Sequence, residues 1–485
     1  MATAGIVVAA ALVAATAASA AGGSSSHMSV NPLISPAGTF DPAFGLFTCQ
    51  VVGLSPGRTC YDPYQMRTAY GIAPLIAAGS TGKGKTIVIL DAYQSPNIAL
   101  ELNTYDTFYG LPGLNGLGNP ADPSLGTFTQ VAPDGLTPFV TGDPNMTGWA
   151  EEISLDVLWA HAIAPGANIV LDLAKSNDDG DLQSALQYAV DHNLGDVISQ
   201  SFGENEACLG VPGKWHSSYV AATQKDMTIF ASSADEGAAL PTCDGNSWVK
   251  AVSAPASDPL VTGVGGTELT AARYCLPALS CDPATNPAAG TYQSEIAWNE
   301  GPPFGDFQSS FGSTIASGGG FSTIWSEPSY QQGTIHGKQR GVPDVSYSAA
   351  VLHGALTYLN IPGIPAGFYL FGGTSAGSPQ WAAITAIADQ VAGHDLGFIN
   401  AALYKTGQNA STYAAGFHDV TSGTNSAVEF DSANNPVTVI GYNAGTGWDA
   451  VTGLGSPIVN QLIPSLIAND SPGQGTAAIN NSKNG

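Results

Sequence analysis

Residues 151–173 read EEISLDVLWAHAIAPGANIVLDL, and this stretch decides the fold. From Glu151 to Ala162 the apolar residues Ile153, Leu155, Val157, Leu158 and Ala162 recur at helical spacing. Pro165-Gly166 stops the helix, and Ala167–Leu173 follows as a short, β-rich apolar run that suits a buried strand. The alternation continues in both directions. Upstream, Lys85–Leu90 (KTIVIL) reads as a buried strand, followed by turn-rich residues 91–150. Downstream come a helix over Asp181–Asp191, a strand over Asp196–Gln200, a helix over Trp215–Gln224 and a strand over Met227–Ser232. Strands alternating with helices predict an α/β domain built on a parallel sheet. Residues 236–345 are Gly/Pro-rich and read as irregular. A short strand, Phe368–Phe371, then runs into Gly372-Gly373-Thr374-Ser375-Ala376 and a helix from Pro379 to about Val391. Residues 416–455 read as loops. The organisation expected is a leader over 1–28, an extended arm over 29–60, one large domain over 61–468 and a polar, disordered tail over 469–485.

Composition narrows the function. Of 485 residues only 11% are charged, about half the usual share. The 13 Lys+Arg against 38 Asp+Glu give a net charge of −25, which disfavours nucleic acid as a partner because little here would neutralise phosphates. Such acidity can serve solubility alone. It also suits acid: a chain with few bases gains little net positive charge when its carboxylates protonate. Ile6–Ala18 has the length of a signal-peptide core and Ala18-Ser19-Ala20 fits a cleavage site, although no Lys or Arg precedes it. That run is too short for a membrane span, and no other stretch qualifies. Gly22–Met28 also resembles an expression-vector junction. The leader implies a secreted protein and no membrane partner. Six cysteines, none in a C-x-x-C pair, disfavour a zinc or redox site. Of the fifteen possible pairings, proximity favours Cys49–Cys60 and Cys275–Cys281, with Cys208–Cys243 by remainder; six buried free thiols are the alternative.

Four segments carry candidate chemistry. Ser375 sits between a strand and a helix behind two glycines, where nearby N–H groups favour developing negative charge; a plain serine N-cap is the bland reading. A serine nucleophile needs a base, yet His161, His192, His216, His336, His353, His394 and His418 have no recognisable catalytic context, and His27 falls in the junction-like stretch. Glu152 and Asp156, four apart, share a helix face, and close carboxyls share a proton with one pKa raised. That suits a general base in acid, against the alternative of an exposed acidic face. Glu151 points about 100° away from Glu152 and is expected to be solvated. Asp235 follows the strand Met227–Ser232, at the end of a parallel strand where ligands bind. Protonated, it could donate to an oxyanion; otherwise it is a turn aspartate. Finally, Asp419-Val420 and Gly445-Thr446-Gly447-Trp448-Asp449 offer carboxylates and exposed carbonyls suited to Ca²⁺, without EF-hand spacing.

Taken in order, these segments resemble the sedolisin family of serine-carboxyl peptidases, and among them its kumamolisin-like bacterial members. The resemblance rests on Glu152-Ile-Ser-Leu-Asp156 with Ala-Pro-Gly-Ala after it, Val197-Ile-Ser-Gln-Ser-Phe-Gly203, Ser233-Ala-Asp235, Ser317-Gly-Gly-Gly-Phe-Ser322, Gly341-Val-Pro-Asp-Val345, Gly372-Gly-Thr-Ser375-Ala, Phe417-His-Asp-Val420, Gly445-Thr-Gly-Trp-Asp449 and Thr452-Gly-Leu-Gly-Ser-Pro457, spanning about residues 60–465. It implies a subtilisin-like parallel sheet with helices on both faces, and a secreted, acid-active, monomeric endopeptidase acting on proteins or peptides. It implies Ser375 as nucleophile, Glu152 as base and acid, Asp156 as the residue orienting Glu152, and Asp235 as oxyanion donor. Gly318, Gly319 and Gly320 would line the substrate strand. One structural Ca²⁺ would be held by Asp419 and Asp449 with the carbonyls of Val420, Gly445 and Gly447. The sequence departs from the family where Phe202 replaces a frequent Trp, where Asp91 stands near a frequent Glu, and in SADEG around Asp235. The family also carries a long N-terminal prodomain, a further partner, where only about 30–60 residues precede the catalytic part here. Rival readings are a Ser-His-Asp enzyme of the same fold, a non-catalytic binding protein on a peptidase scaffold, and a two-carboxylate glycosidase, whose acids would sit on different strand ends.

Overall fold

The computed structural model describes residues 27–482 apart from residues 31, 56, 119–120, 277–278, 280, 283–286, 302–312, 336 and 472. The leader-like run lies almost wholly outside the described residues, as does His336. In chain order the elements used below are β1 (Leu33–Pro36), β2 (Thr59–Tyr61), β3 (Thr86–Ala92), α1 (Ile98–Tyr109), β4 (Phe128–Val131), α2 (Pro144–Ile163), β5 (Asn168–Ala174), α3 (Asp179–Asp191), β6 (Val197–Gln200), α4 (Pro212–Thr223), β7 (Thr228–Ser232), β8 (Thr262–Ala271), β9 (Tyr292–Ala297), β10 (Val345–Ser348), β11 (His353–Leu359), β12 (Gly367–Gly372), α5 (Gly377–Ala392), α6 (Val459–Asn469) and α7 (Gln474–Ser482).

Eight strands form the central sheet in the order β9-β8-β7-β6-β3-β5-β4, with β10 also paired to β8. All neighbours run parallel except β9, which is antiparallel to β8. The β3 run Ile87, Val88, Ile89 and Leu90 is fully buried, as expected for a strand with both faces covered. The helix pairs α2/α5 and α3/α4 flank the sheet. The expected subtilisin-like α/β class therefore holds. A second sheet, β1-β12-β11-β2, places the arm's strand β1 antiparallel to β12, whose end leads into Ser375. Among the described residues, no helix is long and apolar enough to cross a membrane.

Three expectations need correction. Helix α2 begins at Pro144, not Glu151: Asp143 caps it by accepting from the N–H groups of Asn145 (2.9 Å) and Met146 (3.0 Å), and Pro144 suits the first turn. Gly148 and Thr147 mask that beginning because both are weak helix formers. Residues 236–345 are not all irregular, since they contain the ten-residue strand β8. Its glycines hide it; at Gly266 a Cβ would lie 2.8 Å from both Ala349 and Trp298, so close packing demanded the residue that weakens the strand signal. The tail, expected to be disordered, holds α7, which buries Ala478 and Ile479 in the main core and sets Gly475 against Thr223 of α4. The cysteines pair as Cys49–Cys60, Cys208–Cys243 and Cys275–Cys281, and none is free.

Candidate active site

Helix α2 is buried on nearly every side from Trp149 to Ile163, because it packs on α5, β3 and β11 at once. Glu152 and Asp156 project from this central helix and are fully buried. Asp91, near the C-terminal end of β3, is equally buried. None of the carboxyl oxygens of these three residues has a hydrogen-bond partner among the described residues. Burial pushes the Asp91 carboxyl up to about 8. It also holds Glu152 and Asp156 well above the usual carboxylate range, and the charge of Asp91 adds to the effect on both. Three dry, mutually repelling carboxyls hold protons in common instead of ionising together. Asp91, singled out in the sequence only as a departure, thus joins Glu152 and Asp156 electrostatically.

Ser375 stands on a single helical turn, Thr374–Ala376, that leads directly into α5. The residue is only 7% exposed. The serine favours the ionised form of Glu152, yet its Oγ donates at 3.4 Å to the Ser201 carbonyl and closes no hydrogen bond with Glu152. Catalytic hydrogen bonds are often this loose without substrate. Ser201 Oγ returns a bond to the Ser375 carbonyl at 3.4 Å, and Ser201 also favours the ionised form of Asp156.

Asp235 follows β7 after Ala234, a non-glycine residue at φ +90°, a strained conformation of the kind that clusters at functional sites. Its Oδ1 accepts from both the backbone N–H and the hydroxyl of Thr374, each at 2.7 Å. Burial raises its pKa to about 6 even though both Thr374 bonds favour the ionised form. Oδ2 makes no bond among the described residues and faces Gly373, where a Cβ would lie 2.6 Å from it; φ there is +95°, so glycine is required on both counts. Thr374 ties Asp235 to the residue next to Ser375, a role that nothing in the sequence signals.

The described histidines are engaged elsewhere. His161 bonds Pro112 O and pairs with Asp106, His216 bonds Asp258, His353 bonds Leu269 O, His394 bonds Asp470, His192 stacks on Tyr188, His418 stacks on Tyr292, and His27 pairs with Asp178. Glu151 corrects another expectation. It is 8% exposed, not solvated, and burial raises its pKa to about 8. A helix face is solvated only if the helix lies at a surface, and α2 does not. Phe202 is buried with its ring 5.9 Å from that of Trp149 and 6.3 Å from that of Trp215.

Gly318, Gly319 and Gly320 lie behind the Asp235 loop. Gly318 donates to Ala234 O at 2.7 Å and accepts from Ser233 Oγ at 2.8 Å, Gly319 O accepts from Asn425 at 3.3 Å, and Gly320 pairs with Val342. Their main-chain groups are thus largely committed within the protein.

The loop 445–449 brings Asp419 and Asp449 together. Asp419 Oδ1 accepts from Gly447 N–H at 3.0 Å, and Asp449 Oδ2 accepts from Gly445 N–H at 3.0 Å. Burial raises Asp449 to about 6. Among the described residues no cation pairs with either carboxyl, and the carbonyls of Val420, Gly445 and Gly447 accept no hydrogen bond; Val420 is itself buried. The two carboxylates and three unused carbonyls are oxygens of the kind a divalent cation takes, but Asp449 already accepts from the N–H groups of Gly445, Val451 and Thr452 and from the Thr452 hydroxyl, and Asp419 from Tyr413 Oη.

No family model matches the chain. It is 29% identical over 447 residues to kumamolisin from Bacillus sp. (strain MN-32), covering 87% of this chain and 66% of that protein. It is 33% identical over 309 residues to sedolisin from Pseudomonas sp. (strain 101), covering 61% of this chain and 45% of that protein. The chain therefore spans less than two thirds of these relatives' own length. Among solved structures, Pseudomonas sedolisin, described as a serine-carboxyl proteinase complexed with two molecules of pseudo-iodotyrostatin, superposes with a TM-score of 0.66 at 27% identity, covering 85% of this chain and 100% of that one.

Proposed function

Because the chain belongs to the sedolisin family, with kumamolisin-like similarity, we propose that it is a secreted, acid-active, monomeric serine-carboxyl endopeptidase that hydrolyses peptide bonds in proteins or peptides. The observation that carries this reading is the pairing of a nearly buried Ser375 with the dry carboxyls Glu152 and Asp156, while the described histidines are bound elsewhere. Glu152, as the member of the group that ionises first beside the Ser375 hydroxyl while Asp156 and Asp91 keep their protons, takes the Ser375 proton as Oγ attacks the substrate carbonyl. Asp156 and Asp91 stabilise one shared protonation state around Glu152. Asp235, neutral in acid, donates from Oδ2 to the developing oxyanion while Oδ1 stays fixed by Thr374. Glu152 passes its proton to the leaving amine, and water then releases the acyl group from Ser375. Gly318, Gly319 and Gly320 shape the wall behind Asp235. Asp419 and Asp449, with the carbonyls of Val420, Gly445 and Gly447, would hold one Ca²⁺, whose positive charge would offset the two carboxylates and fix the loop.

Digestion of a peptide library near pH 3, 5 and 8 tests the reading. Cleavage should peak in acid and vanish in Ser375→Ala; equal activity at pH 8, or activity surviving in the variant, would reject it.

A further inference from the structure

Two carboxyls outside the catalytic group meet where separate elements touch. Asp179 is the first residue of α3, and Glu204 stands in a short strand, Glu204–Asn205, that pairs antiparallel with Ser253–Ala254. Asp179 is buried and Glu204 half-buried. Their side chains hydrogen-bond to each other. Among the described residues, no N–H or O–H of another residue reaches Asp179 Oδ1 or Glu204 Oε1. Two carboxylates have only acceptors, so one of the pair carries a proton. Asp179 opens a helix, where the dipole suits negative charge, and its Oδ2 accepts from Gly210 N–H at 2.9 Å. Asp179 is therefore the acceptor, and the proton sits on Glu204. Burial, and then the charge of Asp179, push the Glu204 carboxyl up to about 8.

The other charges around the pair leave this proton in place. At the start of α3, Asp181 accepts from Ser176 Oγ at 2.6 Å and Asp178 pairs with His27. Two residues past Glu204, Glu206 accepts from the Ser322 hydroxyl at 2.7 Å and from the Thr323 hydroxyl at 2.9 Å. Beyond Ser253–Ala254, Asp258 bonds His216 at 2.8 Å. Among the described residues no Lys or Arg forms an ion pair with Asp179 or Glu204. A second negative charge on the pair would find acids for neighbours and no cation to offset it.

The strand that bears Glu204 is tied to the candidate active site. Three residues upstream, at most about 10 Å of chain, Ser201 O accepts from Ser375 Oγ and Ser201 Oγ donates to Ser375 O, each at 3.4 Å. Between them Gly203 is backed so closely that a Cβ would fall 2.2 Å from Ser253 Oγ. The segment from Ser201 to Asn205 is thus held to Ser253–Ala254 through its main chain and to α3 through the Glu204 side chain. Loss of the second hold leaves the Ser201 carbonyl fixed on one side only.

We infer that Glu204 and Asp179 form a one-proton strut that positions Ser201, and through it the Ser375 hydroxyl, in acid and releases them in alkali. The positioning half rests on the peptidase reading; the strut does not. Both are positioning residues that act through Ser201. The folded value of Glu204 lies above the roughly 4.3 of an unfolded glutamate, so the strut's contribution is complete below about pH 4 and is lost as pH rises through about 8.

Hydrogen–deuterium exchange of residues 201–206 reads the strut without turnover. It is measured near pH 5 and pH 9 in the Ser375→Ala chain, with the intrinsic exchange rate at each pH divided out. Protection should fall at least about tenfold at the higher pH. Glu204→Gln and Asp179→Asn each supply a donor that no pH removes, so both should keep their protection to within about threefold. Glu204→Ala should lack it at both pH values. A parent that stays protected near pH 9, or Gln and Asn variants that lose protection as the parent does, would overturn the strut. With Ser375 restored, Glu204→Ala should lower kcat near pH 5 about tenfold at an unchanged KM, while Glu204→Gln stays within about twofold of the parent. An unchanged kcat in Glu204→Ala would overturn the positioning role. The expected exchange pattern in a chain that cleaves no peptide at any pH would leave the strut standing and sink the peptidase reading instead.

Discussion

Asp235 and the Asp91/Glu152/Asp156 group flank the same serine, and both are removed from water, yet they are held in opposite ways. Asp235 has one oxygen fixed by two 2.7 Å bonds from Thr374 and its pKa rises only to about 6. Among the described residues the other three carboxyls close no hydrogen bond, with only looser support from Ser375 and Ser201, and they are held higher, Asp91 at about 8. Hydrogen bonds to the charged form oppose desolvation, and where only loose contacts from Ser375 and Ser201 do so burial and like charge dominate. The first arrangement fixes a donor in place. The second leaves protons free to move among acceptors. A proposed oxyanion donor needs position, and a proposed base needs a proton that can come and go.

The comparison can be broken by substitution. The largest effect is expected on the base side: Ser375→Ala or Glu152→Gln should lower kcat by about 10⁴-fold or more, because nucleophile and base act as a unit. Steady-state assays in acid check this, and retention of more than a hundredth of the activity by either variant would separate that residue from the chemistry. Asp235→Ala should cost about 10²- to 10³-fold, the usual loss for one oxyanion donor. Asp235→Asn keeps a donor that cannot ionise, so it should lose less and push the alkaline limb of the pH profile upward; an unmoved limb would assign that limb to another group.

Stability gives a smaller effect with a definite sign. Asp91, Glu151 and Asp235 have folded pKa values raised above the roughly 4 of an unfolded carboxyl. Their contribution is therefore complete below about pH 4 and is lost as pH rises through 6 to 8, at about 1.4 kcal/mol per unit of difference for each group. Thermal melts should show the highest Tm in acid and a steady fall toward pH 8. A Tm that rises over that range would contradict the burial of these acids. The smallest effect is expected at the loop 445–449, where chelation should lower Tm by several degrees in the parent and not in Asp449→Asn.

Much of the fold could be read directly. The alternation over residues 85–90 and 167–232 marks strands β3, β5, β6 and β7 and helices α3 and α4 to within a few residues, because buried parallel strands are nearly continuous apolar runs, whereas helix α1 and strand β4 fall in the stretch 91–150 that reads as turn-rich. What stayed hidden was hidden for physical reasons. Strand β8 is built from glycines demanded by close packing, and the start of α2 depends on the Asp143 cap more than on apolar periodicity. At the candidate site, the types and order of Glu152, Asp156, Asp235 and Ser375 could be read, whereas Thr374 and Ser201 act through backbone geometry that only the fold supplies. Glu151 was misplaced because a helical wheel says which residues share a face, not which face meets water.

The central claim is that a carboxyl, not a histidine, activates Ser375. The pH dependence of kcat/KM on a peptide substrate tests it most directly. A carboxyl base with a protonated Asp235 predicts a maximum in acid and at least a tenfold fall between about pH 5 and pH 8. A rise through pH 6 to 7 into an alkaline plateau, the signature of a histidine base, would contradict it.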